Sequence, residues 1–218
     1  MTIPDQAHHD RVKYADCMTF VRYRLQVIDA FAARRITTGY FIPDLESTCL
    51  QFRLIFELIA MSSLCANKEH CQEVRRRFDK MWNAAEIVRF VEQINPNFYP
   101  VPLRRQVNAD GSGGVVSHML DGFLTKDELI EAHGRCGELL HASNPYAPGD
   151  VNEQEWQRRF QTWRKRLANL LESHKAHLVE SEREWWVLLR FGTNLPVQVA
   201  VMRKVANGGS LKKLLPSS

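Results

Sequence analysis

No apolar run in this chain is long enough to cross a bilayer. The longest, near Leu54 to Ala66, holds Glu57 and two serines, whereas a spanning helix needs about 20 apolar residues. The opening residues lack a basic stretch followed by an apolar one, so no secretory leader is expected and a cytoplasmic location is. The five cysteines form no C-x-x-C pair. An odd, unpaired set argues against a disulfide framework and for buried free thiols in a reducing compartment. There is no G-x-S-x-G elbow, no Gly-rich loop ending in Gly-Lys-Ser and no G-x-G-x-x-G. The usual nucleophilic hydrolases and phosphate-cradling loops are therefore not expected. Internal repeats at solenoid periods are also missing. Charge of one sign is scarce: the net charge of +4 and pI near 8.9 permit a polyanionic partner without requiring one.

What is present suits one substantial core. The chain has 218 residues, 44% of them hydrophobic and 25% charged, an ordinary globular balance. Residues 1 to 9 are polar and expected to fray. From Asp10 to Arg35, Tyr14, Met18, Val21, Leu25, Ile28 and Phe31 step by three or four, which predicts a long amphipathic helix. Residues 45 to 64 predict a second helix around which the rest packs. Leu50, Leu54, Leu58, Met61, Ile55 and Ile59 cover more than one of its faces. A third helix is expected over Lys68 to Gln93. Its Arg75, Arg76 and Arg77 read as a solvated face rather than a phosphate site.

Three prolines between Asn95 and Pro102 end that helix. Val101 to Val107 and Val115 to Leu120 then flank a Gly-rich connection and predict a hairpin. Thr125 and Glu128 form a capping box that opens a helix carrying Leu129, Ile130, His133, Cys136, Leu139 and Leu140. Asn152 and Glu155 suggest another. The helix they start runs to Lys175, with Trp156, Phe160, Trp163, Leu167, Leu170 and Leu171 inward. The period then changes, and His177 to Ser181, Trp185 to Phe191 and Val197 to Arg203 read as strands. The expected fold class is mainly α (α+β): a multi-helix bundle with a hairpin insertion and a small C-terminal antiparallel sheet. Residues 10–150 form the bundle, with an irregular β insertion near 96–122. Residues 151–205 add a basic helix with strands packed on it in the same compact body, and 206–218 form a flexible tail.

Chemistry concentrates in His133-Gly-Arg-Cys-Gly-Glu-Leu-Leu-His-Ala-Ser-Asn-Pro145, where a helix ends in a turn. Arg135 is a permanent cation able to grip a phosphodiester, and His141 titrates near neutrality as acid or base. Arg53 and Glu57 interrupt the most apolar helix, and the small gain of an i,i+4 pair does not offset their burial. Glu57 is therefore expected to find a further partner by holding a nitrogen of His141, with Arg53 adding positive potential. Arg158, Arg159 and Arg164, outward on the basic helix, are candidate phosphate contacts. His133, Cys136 and His141, with His70 or Cys71, lack the paired spacings of zinc sites, so no metal is expected.

The Arg135-x5-His141 spacing, in its helical setting, resembles the R-x(4–6)-H motif of the HEPN superfamily. Cys136 stands where many members carry a polar residue. The resemblance implies an all-helical core, commonly dimeric. It also implies metal-independent RNA cleavage or binding in toxin–antitoxin or phage-defence systems, without a cofactor. Arg135 would then stabilise developing charge, and His141 would work on the 2′-hydroxyl or the leaving oxygen. Two stretches, Phe52 to Ala60 and Gly137 to Pro145, also resemble uncharacterised bacterial helical proteins. The competing expectation is a non-catalytic helical interaction or regulatory module that binds a protein partner.

Overall fold

The structure is a computed structural model that describes residues 3–66, 84–107, 114–141, 151–178 and 182–203. Within them the fold is mainly helical, five helices with one antiparallel sheet: α1 (Ile3–Ala32), α2 (Phe41–Cys65), α3 (Ala84–Ile94), β1 (Val101–Val107), β2 (Gly114–His118), α4 (Lys126–Leu140), α5 (Glu153–Leu171), β3 (Ser173–His177), β4 (Arg183–Leu188) and β5 (Gln198–Arg203). Among the described residues no helix is long and apolar enough to cross a membrane. Arg75 to Arg77, most of the expected third helix, the Gly-rich connection and the C-terminal tail lie outside the described residues.

α1 buries Tyr14, Met18, Val21, Leu25 and Ile28, the stripe its periodicity gives. Its backbone is already helical at Ile3, so residues 3–9 of the opening stretch continue the helix instead of fraying, while residues 1 and 2 lie outside the described residues. α2 is the hub, packing against α1, α3 and α4. It starts earlier than expected, with Pro43 in its first turn, where a missing amide hydrogen costs no intrahelical bond. The preceding loop is fastened to Asp44, whose carboxylate accepts from the Thr37 hydroxyl and the Thr38 amide, both at 2.6 Å. These bonds hold the Asp44 carboxyl below the usual carboxylate range.

The buried face of α2 differs from the expected one. Leu45, Cys49, Phe52, Ile55, Phe56, Ile59 and Ala60 point inward, whereas Leu50 and Met61 are exposed and Leu54 and Leu58 are half-buried. In a helix with apolar residues on most sides, the aromatic pair settles which side is core. Phe52 and Phe56 stack on each other and meet Phe160 and Trp163 of α5, with ring centroids 5.3 to 6.4 Å apart.

β1 and β2 pair from Leu103↔His118 to Val107↔Gly114, the expected hairpin. It is no separate insertion, because β1 also pairs with β3 through Val101↔Lys175 and Pro102↔His174. The hairpin and the C-terminal strands make one five-stranded sheet, ordered β2-β1-β3-β4-β5. The helix expected to reach Lys175 ends at Leu171, and β3 begins at Ser173, four residues before the expected strand. There Ser173 is buried at the strand's start, and from His174 the burial alternates, with His174 and Ala176 inward. Asn95 closes α3 onto this sheet, donating to the His177 carbonyl at 3.0 Å while accepting from the Asn97 amide. Arg22, buried on α1, donates to the carbonyls of Leu189 and Leu195 at 3.2 and 2.6 Å, fixing the β4–β5 connection.

The described cysteines are free thiols, as expected. Cys49 of α2 meets Cys136 of α4, and Cys17 of α1 meets Cys65 of α2. The hydrogen bond between partner thiols, together with burial, raises the Cys136 and Cys17 thiols far above their ordinary range. Thiols held protonated are poor nucleophiles and act here as packing groups at helix seams.

Candidate functional site

α4 opens at the expected capping box: the Glu128 amide donates to the Thr125 hydroxyl at 3.3 Å, and the Thr125 amide donates to the Glu128 carboxylate at 2.9 Å. That start sets the helix phase. Leu129, Ala132, His133 and Cys136 occupy i, i+3, i+4 and i+7, one stripe turned toward α2. His133 thus sits on the core-facing side, with its side chain only 7% exposed. A buried imidazole needs a partner, and the turn of α2 opposite supplies one.

Glu57 is that partner, its carboxylate standing 3.2 Å from His133 Nε2. The same oxygen accepts from Arg53 Nε, also at 3.2 Å. The Arg53 guanidinium lies against Gly137 of α4, where a Cβ would stand 3.5 Å from Nη1. Burial works to raise the Glu57 carboxyl, but the hydrogen bonds from His133 and Arg53, with the charge of the guanidinium, outweigh it and hold the group below the usual range. A cation, a carboxylate and an imidazole therefore share the α2–α4 seam. A carboxylate holding one imidazole nitrogen sets the ring's tautomer and orientation, the preparation a histidine acid or base requires.

Glu57 does find a further partner, as expected, but the partner is His133 and not His141. The reason is helical phase: His133 shares the inward stripe, while His141 is the exposed C-cap residue of α4 with an extended backbone. Arg135 projects away from the seam as well. Its Nε donates to Glu131 at 3.1 Å, and its side chain is 43% exposed. Six residues at about 100° each place Arg135 and His141 roughly 120° apart around the axis, so one helix does not aim both at one point. His133 was legible in the sequence: its i+4 spacing from Leu129 and i−3 spacing from Cys136 put it on the apolar stripe.

The remaining candidates are mostly neutralised within the chain. Arg164 makes two hydrogen bonds of 2.8 Å to the Asp29 carboxylate and so ties α5 to α1. Arg159 pairs with Glu155 one turn before it. Glu155 is therefore not the returning half of a capping box, and Asn152 caps α5 with its side chain alone. Arg158 is exposed and, among the described residues, donates only to the Gln154 carbonyl. Among the described residues no group of three His, Cys, Asp or Glu side chains is placed to hold a metal ion.

The seam is testable as a coupled unit. A double-mutant cycle on Glu57→Gln and His133→Gln should give a coupling of about 1 kcal/mol, while the cycle pairing Glu57 with His141 should give none outside error. The measurement is urea unfolding of the four variants in each cycle. Equal coupling in both cycles would place Glu57 between the two histidines.

The chain matches no family model, no curated protein and no solved structure.

Proposed function

We propose that the protein binds RNA in the cytoplasm and, like the HEPN-like ribonucleases that its Arg135-x5-His141 spacing resembles, cleaves it without a metal ion or cofactor. The observation that carries this reading is the Arg53–Glu57–His133 cluster. His133, oriented by Glu57, takes the proton of the 2′-hydroxyl; that oxygen attacks phosphorus, and the 5′-oxygen leaves as an alcohol once protonated. Arg53 supplies positive charge for the phosphorane-like transition state, and Arg135, which projects away from the seam of its own chain, adds to it from a second copy. His141, exposed at the end of α4, is the second proton carrier. Since Arg135 and His141 diverge on one helix, a homodimer that juxtaposes two copies of α4 is the arrangement that unites them. A toxin or phage-defence effector with a cognate antitoxin is the biological setting this chemistry suits.

The test is cleavage of labelled RNA in excess chelator. Cleavage should fall by about 10²–10⁴-fold in His133→Ala and in His141→Ala, the range typical of a lost acid or base. Activity that vanishes with chelator and returns with a divalent ion would overturn the metal-independent mechanism.

A second reading is favoured by a separate observation. Phe20, Tyr23 and Tyr40 are 57%, 52% and 72% exposed, and exposed aromatics are what a protein-binding module presents. Parental RNA affinity at low salt decides between the two: none measurable, together with a stoichiometric protein complex that Phe20→Ser abolishes, would establish the interaction module.

A further inference from the structure

The polar side of α5 carries an arrangement that the seam does not use. Thr162, Lys165, Arg166 and Asn169 follow one another at i, i+3, i+4 and i+7, a single stripe about 10 Å long at the helical rise. The stripe faces Arg104 of β1 and the β2–α4 connection, with Met119, Asp121 and Gly122. Together they enclose a cleft of about 630 Å³. Its wall is fastened in place. Asn169 Nδ2 donates to the Gly122 carbonyl at 2.7 Å, and the Leu124 amide donates to the Arg166 carbonyl at 3.1 Å. Gly122 has φ 75°, a turn conformation that side chains rarely adopt, so the connection bends there because position 122 is glycine.

The charge of the cleft is unbalanced. Among the described residues, Arg104, Lys165 and Arg166 face a single lining carboxylate, Asp121. Arg166 is shared with Glu128 of α4. Arg104 and Lys165 have no carboxylate partner among the described residues. Arg158 lies one turn before Thr162 on the same stripe, is exposed, and makes no ion pair among the described residues. Gathering cations around one concave space is unfavourable by Coulomb repulsion unless an anion enters. The forked guanidinium and the ammonium suit phosphate oxygens, and the length of the stripe exceeds one phosphate group.

We propose that this cleft between α5 and the β1–β2 hairpin binds phosphate esters, with Arg104 and Lys165 gripping the phosphates and Arg158 extending the contact along the ligand. That chemistry has two sources, the backbone of single-stranded RNA and a free nucleotide. The site shares no residue with the α2–α4 cluster. It deepens the RNA-binding half of the proposed function and rests on no step of cleavage.

The test measures the full chain by fluorescence anisotropy with labelled oligouridylate and by calorimetry with adenosine diphosphate. The variants are Arg104→Glu/Lys165→Glu and the neutral pair Arg104→Gln/Lys165→Gln. Both positions are exposed, so thermal melts should match the parent. Oligouridylate affinity should fall at least about tenfold in the charge-reversed pair, with the slope against log salt reduced by about 2, since two phosphate contacts are lost. The neutral pair should fall between it and the parent. Binding of oligouridylate with this loss identifies a nucleic-acid site. Binding of the diphosphate alone, lost in the same variants, identifies a nucleotide site and supports the cleft while removing RNA from it. Parent and charge-reversed pair binding both probes equally, or the parent binding neither at low salt, overturns the proposal. Intact binding with no RNA cleavage would instead sink the seam chemistry and leave the cleft standing.

Discussion

Phe52→Ala should be among the most damaging single substitutions in this chain, lowering stability by about 3–5 kcal/mol. Its ring is fully buried on α2, stacked on Phe56 and on Phe160 at 5.3 Å, and meets Trp163 edge-on at 5.5 Å. Removing it loses the transfer free energy of the ring and leaves a void between two helices. Rigid aromatic neighbours cannot close over that void. For a domain of this size each kcal/mol corresponds to about 2–4 °C, so the melting temperature should drop by roughly 6–20 °C. Leu50→Ala is the control on the same helix. Leu50 is 42% exposed, and its truncation should stay within about 0.5 kcal/mol. Thermal melts of both variants decide the matter. Near-parental stability of Phe52→Ala, or equal losses in the two, would mean that the aromatic cluster is not what holds α2 to α5.

That pair of residues also shows what the sequence disclosed and what it did not. Amphipathic periodicity located α1 and α2, because burial of a stripe every three or four residues is a local signal. It did not orient α2, because a helix with Leu, Ile, Phe and Met on most sides has no unique apolar face. The choice fell to Phe160 and Trp163, more than a hundred residues away. The hairpin at β1–β2 was legible from its alternation and its Gly-rich connection, but its pairing with β3 was not. Val101↔Lys175 is a long-range contact with no local trace. The candidate site behaves the same way. Glu57 reads in the sequence as a charge in need of a partner, since burial makes an unpaired carboxylate costly. Chemistry alone does not choose that partner, because His141 and His133 are equally plausible and only helical phase separates them. The basic residues of α5 were visible, yet their ion pairs were not: Arg164 meets Asp29 across the bundle, and Lys165 gains its setting from Arg104 on another element.

His174 should make the fold acid-sensitive well above the carboxylate range. Its ring is fully buried, with Nδ1 2.9 Å from the Leu171 carbonyl and Nε2 2.8 Å from the Tyr14 hydroxyl. A carbonyl only accepts, so Nδ1 carries the proton and Nε2 accepts from Tyr14; the neutral ring is satisfied. Burial, against the opposing pull of the Leu171 carbonyl, lowers the imidazole from the ordinary 6.5 to about 4. The folded state therefore takes up this proton only near pH 4, whereas the unfolded chain takes it up near 6.5. Stability from the neutral ring is complete above about 6.5 and is lost as the pH falls toward 4. At about 1.4 kcal/mol per pH unit, the gap between 6.5 and about 4 amounts to about 3–4 kcal/mol. Glu57 and Glu184, whose carboxyls are held low, lose their contribution only below their ordinary 4.5. A fall in stability between about pH 6.5 and 4.5 that disappears when His174 is replaced is assigned to His174. Urea midpoints across this range should decline in the parent and in Tyr14→Phe, which keeps the imidazole buried, and stay level in His174→Gln, which cannot titrate. A decline of the same size in His174→Gln would show that another group takes up the proton.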